Sequence, residues 1–326
     1  MGSLPNELNH YERKLGDLAS SKSGIVVLSL FDGISCGYLA LQRAGIEIDT
    51  YYASEIESNA IKISKKNYPQ IIQLGDVRLL NEEIISNIGY IDLVIGGSPC
   101  QGLSNLNVWL KDGEYGVNGT GKSELFWEYA RILGLVKKYC NPNVKFLLEN
   151  VGSAENKEKE IINQALGYEG KSFNSQLLSA QNRNRVYWTN FEFEIPDKRK
   201  EIFMKDILEE TVDDKYYLTQ KMYDCVITPA KSGWNSGNMD IDLEIARPLC
   251  ATMHKMHRAS QDNYVSTKYH PLGKTNVRRL TPIECERLQT LPDNYTEGIS
   301  DTQRYKCIGN GWTVDVIAHI FKYLDF

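Results

Sequence analysis

One cysteine of the seven in this chain, Cys100, stands in the run Gly97-Ser98-Pro99-Cys100-Gln101-Gly102, directly after the apolar segment Ile91 to Ile95. A buried strand that ends in a tight Pro-Cys turn presents one thiol at the carboxyl edge of a sheet, where open α/β folds bind ligands. A thiol in a cleft is a candidate nucleophile, because its thiolate attacks electron-poor carbon and can leave again. Further on, Lys145-Phe146-Leu147-Leu148 leads into Glu149-Asn150-Val151, a second apolar strand ending in a carboxylate. Then Gln181-Asn182-Arg183-Asn184-Arg185 precedes the strand-like Val186-Tyr187-Trp188. Extended backbone alternates side chains, so Gln181, Arg183 and Arg185 are expected on one face. Three sheet edges thus offer a thiol, an acid and a pair of guanidinium groups.

The elements that must position these groups alternate. Gly24 to Leu30 reads as a first strand and Gly37 to Ala44 as a helix closed by Gly45. Strand, helix and turn repeat through Ile48 to Ala53, Asn59 to Lys66, Ile71 to Leu74, Ile91 to Ile95, Leu125 to Lys137 and Lys145 to Leu148. This rhythm implies a Rossmann-like, mostly parallel α/β sheet with helices on both faces. After Asn190 the rhythm is lost, and Phe191 to Val277 reads as a smaller, irregular domain. Regular structure returns with a helix over Thr281 to Leu288, which Thr281 caps with Glu284 three residues later and Pro282 in the first turn. A final helix over Val314 to Tyr323 is expected to pack back on the first domain. The expected division is therefore residues 1–190, 191–277 and 278–326.

The first strand joins its helix through Phe31-Asp32-Gly33-Ile34-Ser35-Cys36-Gly37. Glycine there permits a sharp turn and close approach to a ligand, and the helix N-terminus offers N–H donors. The next two strands each end in an acid, Glu55 and Asp76. An acid one strand past the turn suits a ribose diol, and a second acid can accept from an adenine amino group. Two such acids point to a nucleoside. They leave NAD and S-adenosyl-L-methionine both open, although no strict G-x-G-x-x-G is present to favour the dinucleotide.

Bulk properties narrow the class. A chain of 326 residues with a net charge of −5 is ordinary for a soluble globular protein and does not coat nucleic acid indiscriminately. No apolar run approaches membrane-spanning length, and Met1 to Lys22 lacks a signal-peptide core, so a cytoplasmic protein with no membrane partner is expected. Seven scattered cysteines without C-x-x-C spacing argue for reduced thiols, with no zinc or other metal site. A local basic stretch is visible nonetheless: Lys255, Arg258, Lys268, Lys274, Arg278 and Arg279 stand between His254 and Arg279 against the single acid Asp262.

Pro-Cys, Glu-Asn-Val and Gln-x-Arg-x-Arg, in that order, resemble motifs of the DNA (cytosine-5) methyltransferases, and the resemblance runs from about Val26 to Phe321. It implies S-adenosyl-L-methionine as cofactor, with S-adenosyl-L-homocysteine as product. Phe31 is thereby assigned to stacking on the cofactor, Glu55 to the ribose, and Asp76 with Val77 to the adenine. Asp32, Gly33, Ile34, Ile56, Pro99, Leu125, Asn310 and Trp312 complete the implied pocket. The chain departs from the family pattern twice, in Ser35-Cys36 where a glycine pair is usual and in Gly309-Asn310-Gly311-Trp312 where Gly-Asn-Ser-Val is usual. Both variations resemble the animal de novo methyltransferases.

The implied chemistry suits the residues. Carbon 5 of cytosine is a poor nucleophile until Cys100 adds to carbon 6. Glu149 supplies a proton or strong donor at ring nitrogen 3, and Arg185 with Arg183 in support holds the cytosine carbonyl. The target base must leave the duplex, so a lid is expected over Gln101 to Ser123, with Ser104 at the DNA. The resemblance implies double-stranded DNA as the partner of an enzyme either free-standing or paired with a cognate restriction endonuclease, in a bacterium or in a phage acting in one. Family resemblance puts target recognition between the Gln181 to Arg185 motif and the segment Arg279 to Gln289. Gln181, Lys255, Arg258 and Lys268 are the expected contacts to phosphates or bases. Two other readings are a tRNA cytosine-5 methyltransferase, disfavoured because the Cys-Phe-Thr signature is absent, and a DNA-binding regulator on an inactive scaffold.

Overall fold

Six consecutive residues, Ile25-Val26-Val27-Leu28-Ser29-Leu30, are all buried, as a strand covered on both faces requires. This is β1 (Ile25–Leu30) of a computed structural model that describes residues 24–98, 125–229 and 238–326. Its odd and even positions serve two cores. Val26, Leu28 and Leu30 join one apolar cluster, while Ile25 and Val27 join the other.

The sheet continues with β2 (Ile48–Ser54), β3 (Ile72–Gln73), β4 (Leu93–Gly97), β5 (Lys145–Val151), β6 (Lys171–Asn174) and β7 (Asn184–Thr189). Spatial order is β3-β2-β1-β4-β5-β7-β6, with every neighbouring pair parallel except those made by β7. The order reverses at β1 and β4. In such sheets, ligands bind outside the carboxyl ends of the strands where the order reverses.

One face is covered by α1 (Cys36–Arg43), α2 (Ser58–Asn67) and, from the far end of the chain, α9 (Val314–Phe321). The other face carries α3 (Glu82–Ile88), α4 (Leu125–Tyr139) and α5 (Asn156–Leu166). The last helix, α9, packs against α1 on the first of these faces. Trp188 and Tyr187 lie in these cores, whereas Trp127 on α4 is 41 % exposed.

Beyond β7 the chain has little regular structure: α6 (Gln220–Ile227), a two-stranded pair of β8 (Tyr264–Ser266) and β9 (Val277–Arg279), then α7 (Pro282–Leu288) and α8 (Asp301–Asn310). The expected cap of α7 is present, with the Thr281 side chain accepting from the Glu284 N–H and the Glu284 carboxylate accepting from the Thr281 N–H. α7 and α8 do not simply return to the sheet. Cys285, Leu288, Tyr305 and Ile308 form one core with Ala246, Leu249 and Val265 from the irregular region, and β9 spans the expected boundary at Val277. Among the described residues no helix is long and apolar enough to cross a membrane, and no cluster of His, Cys, Asp and Glu suits a metal ion.

Candidate active site

Register sets the acid. β5 runs on past Leu148 because β7 pairs with it through Val151, so Glu149 lies within the strand, beside Gly97 of β4 and opposite Tyr187 of β7. Arg185 is opposite Val151, diagonal to Glu149 on the same face, a spacing that long side chains bridge. Arg185 Nε stands 2.9 Å from Glu149 Oε1, both side chains less than one-fifth exposed. Trp312, in the turn between α8 and α9, donates its indole Nε1–H to Glu149 Oε2 at 3.1 Å. Asn150 Nδ2 donates to Ser98 Oγ at 3.0 Å and so fixes the end of β4. Cys100, Pro99 and Ser104, with the expected lid, lie outside the described residues.

The other two members of the Gln-x-Arg-x-Arg run turn inward. The Arg183 guanidinium is buried and donates to the carbonyls of Leu249 at 2.6 Å, Gly309 at 3.2 Å and Gly311 at 3.2 Å. It clamps the irregular region to the α8–α9 turn instead of extending toward a base. Gln181, expected at the DNA, is fully buried: its Oε1 accepts from Leu249 N–H at 2.7 Å, and its Nε2 donates to Leu288 O and Gln289 Oε1. Gln289 in turn donates to the carbonyls of Ile308 and Gly311 and accepts from Thr313 Oγ1. Sequence reasoning missed Asn150 and Gln289 as supports, although the former stands inside the Glu-Asn-Val motif.

The β1–α1 turn is held in left-handed backbone at Phe31 (φ 58°), Gly33 (φ 60°) and Ser35 (φ 60°). Two of these carry Cβ atoms, a conformation costing of order 1 kcal/mol each and found where function demands it. Asp32 pins the turn: Oδ1 accepts from Ser29 Oγ at 2.6 Å and Tyr51 OH at 2.8 Å, and Oδ2 from Ser35 Oγ at 2.5 Å. Burial pushes its carboxyl up to about 6 despite these donors. Expected to face a cofactor, the Asp32 side chain instead faces the protein. Ile34 and Val77 likewise point into the two cores.

Glu55 terminates β2 with Oε2 accepting from Gly33 N–H at 2.8 Å and Oε1 accepting from the N–H groups of Ile56 and Glu57. Asp76 is gripped by Arg78, whose guanidinium donates to both carboxylate oxygens and holds the acid below the usual range. Ile56 is 62 % exposed beside them, Phe31 is half-buried, Leu125 opens α4 and Asn310 is exposed at the end of α8. Two carboxylates at adjoining strand ends with an apolar neighbour match the hydroxyls, amine and ring of an adenosyl group.

Burial pushes the thiols of Cys36 and Cys307 up to about 12, and that of Cys285 well above the usual range. None of these three is a thiolate near neutral pH. Cys225 is exposed.

The basic stretch is smaller than its composition suggests. Arg278 is buried in a two-bond ion pair with Glu284, at 2.7 and 2.8 Å, and Lys274 donates to the carbonyls of Asp214 and Tyr217. The Arg279 guanidinium stacks near the rings of Tyr216 and Tyr305, and that of Arg258 donates to the Cys225 carbonyl. Lys255 and Lys268 are exposed.

A family model for C-5 cytosine-specific DNA methylase matches residues 25–325. Among curated proteins, the chain is 30 % identical over 323 residues to the Type II methyltransferase M1.ScrFI of Lactococcus lactis subsp. cremoris, covering 90 % of this chain and 76 % of that one. It is 29 % identical over 320 residues to the Type II methyltransferase M.NlaX of Neisseria lactamica, covering 91 % and 95 %. Among solved structures, the S. pombe Dnmt2 methyltransferase superposes with a TM-score of 0.68 at 19 % identity, over 91 % of this chain and 97 % of that one.

Proposed function

The chain belongs to the C-5 cytosine-specific DNA methylase family, and from that premise we propose that it works through a covalent adduct of Cys100, with Glu149 and Arg185 acting on the cytosine ring. It is a DNA cytosine-5 methyltransferase. The observation that carries the division of labour is the Arg185–Glu149 pair at the carboxyl end of β5, beside the β4 strand that leads to Cys100.

S-adenosyl-L-methionine, when bound, supplies an electrophilic methyl group. Phe31, Glu55, Ile56 and Asp76 are the residues that would hold it, through the ring, ribose and amine contacts that their positions suit. The Asp32 carboxylate contributes by fixing the turn. Around a cytosine rotated out of the duplex, the Cys100 thiolate forms a bond to carbon 6, and Glu149 delivers a proton or strong hydrogen bond to ring nitrogen 3. Arg185 holds the carbonyl oxygen by a charge-assisted hydrogen bond and keeps Glu149 in place. Electron density pushed onto carbon 5 makes it the nucleophile for the methyl group. Loss of the carbon 5 proton to water then expels the Cys100 thiolate, and the proton on ring nitrogen 3 returns to Glu149, which restores the ring and the acid. Arg183 supports this geometry from a distance, by clamping the turn that carries Trp312.

Exposed Lys255 and Lys268 are the contacts to DNA from the irregular region, which reads the target sequence. A cognate restriction endonuclease would be the partner in the cell. The test of the site is Glu149→Gln under single turnover with labelled cofactor and unmethylated genomic DNA. The rate should fall by about 10² or more, with the cofactor still bound. An unchanged rate would remove Glu149 from the chemistry.

A further inference from the structure

The indole of Trp312 sits where the cofactor turn and the base acid meet. Its Nε1 is 3.1 Å from Glu149 Oε2. A Cβ built on Gly97 would stand 2.8 Å from that nitrogen and 3.0 Å from that oxygen, so the last residue of β4 is the floor under this hydrogen bond. A Cβ on Gly37, in the first turn of α1, would stand 3.4 Å from Cζ3 of the same ring. The indole therefore spans from the helix that follows the cofactor turn to the carboxylate on β5. Its own turn is rigidly tied, with the Gly311 carbonyl accepting from Arg183 and Gln289, and Thr313 Oγ1 bonded to Gln289.

Glu149 is thus held at both oxygens, Oε1 by Arg185 and Oε2 by Trp312. The two holds differ in kind. A guanidinium offers several donors and a charge, whereas an indole offers one N–H, one direction and no charge. The neutral donor fixes the plane of the carboxyl group, and each oxygen keeps lone-pair capacity toward a ring edge.

We propose that Trp312 is a positioning residue for methyl transfer, its indole N–H aiming Glu149 at the edge of the flipped cytosine and registering the acid against the cofactor side of the cleft. This rests on the reading of Glu149 given above. It differs from a role as a cofactor wall, because its effect runs through the acid and not through cofactor affinity.

The test is Trp312→Phe in the full chain, which keeps an aromatic ring and removes the donor. With labelled cofactor and unmethylated genomic DNA, the single-turnover rate should fall about tenfold, the worth of one hydrogen bond to a charged group. Binding of S-adenosyl-L-homocysteine by calorimetry and KM for DNA should stay within about twofold of wild type. In a Glu149→Gln background the same substitution should add nothing, because positioning an inert group has no value. A weaker cofactor affinity with an unchanged rate would overturn the proposal, as would a further tenfold loss in the double variant. Should Trp312→Phe melt early, benzothienylalanine at position 312 keeps the ring size and deletes only the N–H, with the same expectations. If Glu149→Gln alone retains the wild-type rate, the reading of the acid fails and takes this inference with it. If Glu149→Gln is slow and Trp312→Phe is not, only the positioning role falls.

Discussion

Replacing Arg183 by alanine separates a clamp from a catalytic group. Its guanidinium makes three hydrogen bonds to carbonyls at Leu249, Gly309 and Gly311, all buried or nearly so. A hydrogen bond from a charged donor is worth about 1.5 kcal/mol or more, and the Gly311 carbonyl keeps a second donor in Gln289, so the loss is about 4 kcal/mol. Unfolding entropy for a chain of 326 residues is about 0.7 kcal/mol/K, which converts that loss to a fall in Tm of about 6 °C. Scanning calorimetry reads the shift directly. Hydrogen exchange should speed up locally around Leu249 and Gly311, where the clamp is released. Arg185→Ala, whose partner Glu149 is less than one-fifth exposed and keeps the Trp312 N–H, removes one side of a mostly buried ion pair and should also lower Tm, by about 4 °C for a loss of about 3 kcal/mol, while losing methyl transfer. An Arg183→Ala protein that melts like wild type and fails only in chemistry would refute the inward orientation of this side chain.

Asp32 gives a pH signature. Its folded carboxyl is raised from 3.8 to about 6, so the stability it lends is present below pH 3.8 and is lost as pH rises through 6. Relative to Asp32→Asn, which does not titrate, wild type should lose up to about 3 kcal/mol between pH 4 and pH 7. Paired melting curves across that range check this, and a difference that stays flat would contradict it. Glu55→Ala and Asp76→Ala should each raise the dissociation constant of S-adenosyl-L-homocysteine measured by calorimetry, because each leaves a ligand donor unpaired. Equal affinity in both would move the adenosyl site elsewhere.

The parts of the fold legible in the sequence are those whose burial is continuous or strictly periodic. Strand β1 is buried at all six positions, and α4 buries five residues at helical spacing, so both are visible as pattern. Helices α3 and α5 escaped because they bury only Ile85 and only Ile162 with Leu166, too few to set a period. Glu149 was legible as an acid at the end of an apolar run, but its place inside β5 depends on pairing with β7, which no local signal encodes. The same holds for Arg183 and Gln181. Their partners lie 66 to 128 residues away, and a basic or amide side chain in a turn-rich motif looks identical whether it faces water or a distant carbonyl. Arg278 was misjudged within a basic run for that reason, since the carboxylate that neutralises it belongs to the capping box of the next helix.

The central claim is a covalent bond between Cys100 and carbon 6 of cytosine. DNA in which the target carries 5-fluorocytosine tests it most directly, because fluorine on carbon 5 cannot leave as a proton and the last elimination is blocked. Wild-type enzyme with cofactor should yield a protein–DNA species that survives denaturation, with the fluorocytosine mass on the peptide containing Cys100, and Cys100→Ser should yield none. A methylated product from Cys100→Ser at the wild-type rate, or an adduct mapped to another cysteine, would contradict the account.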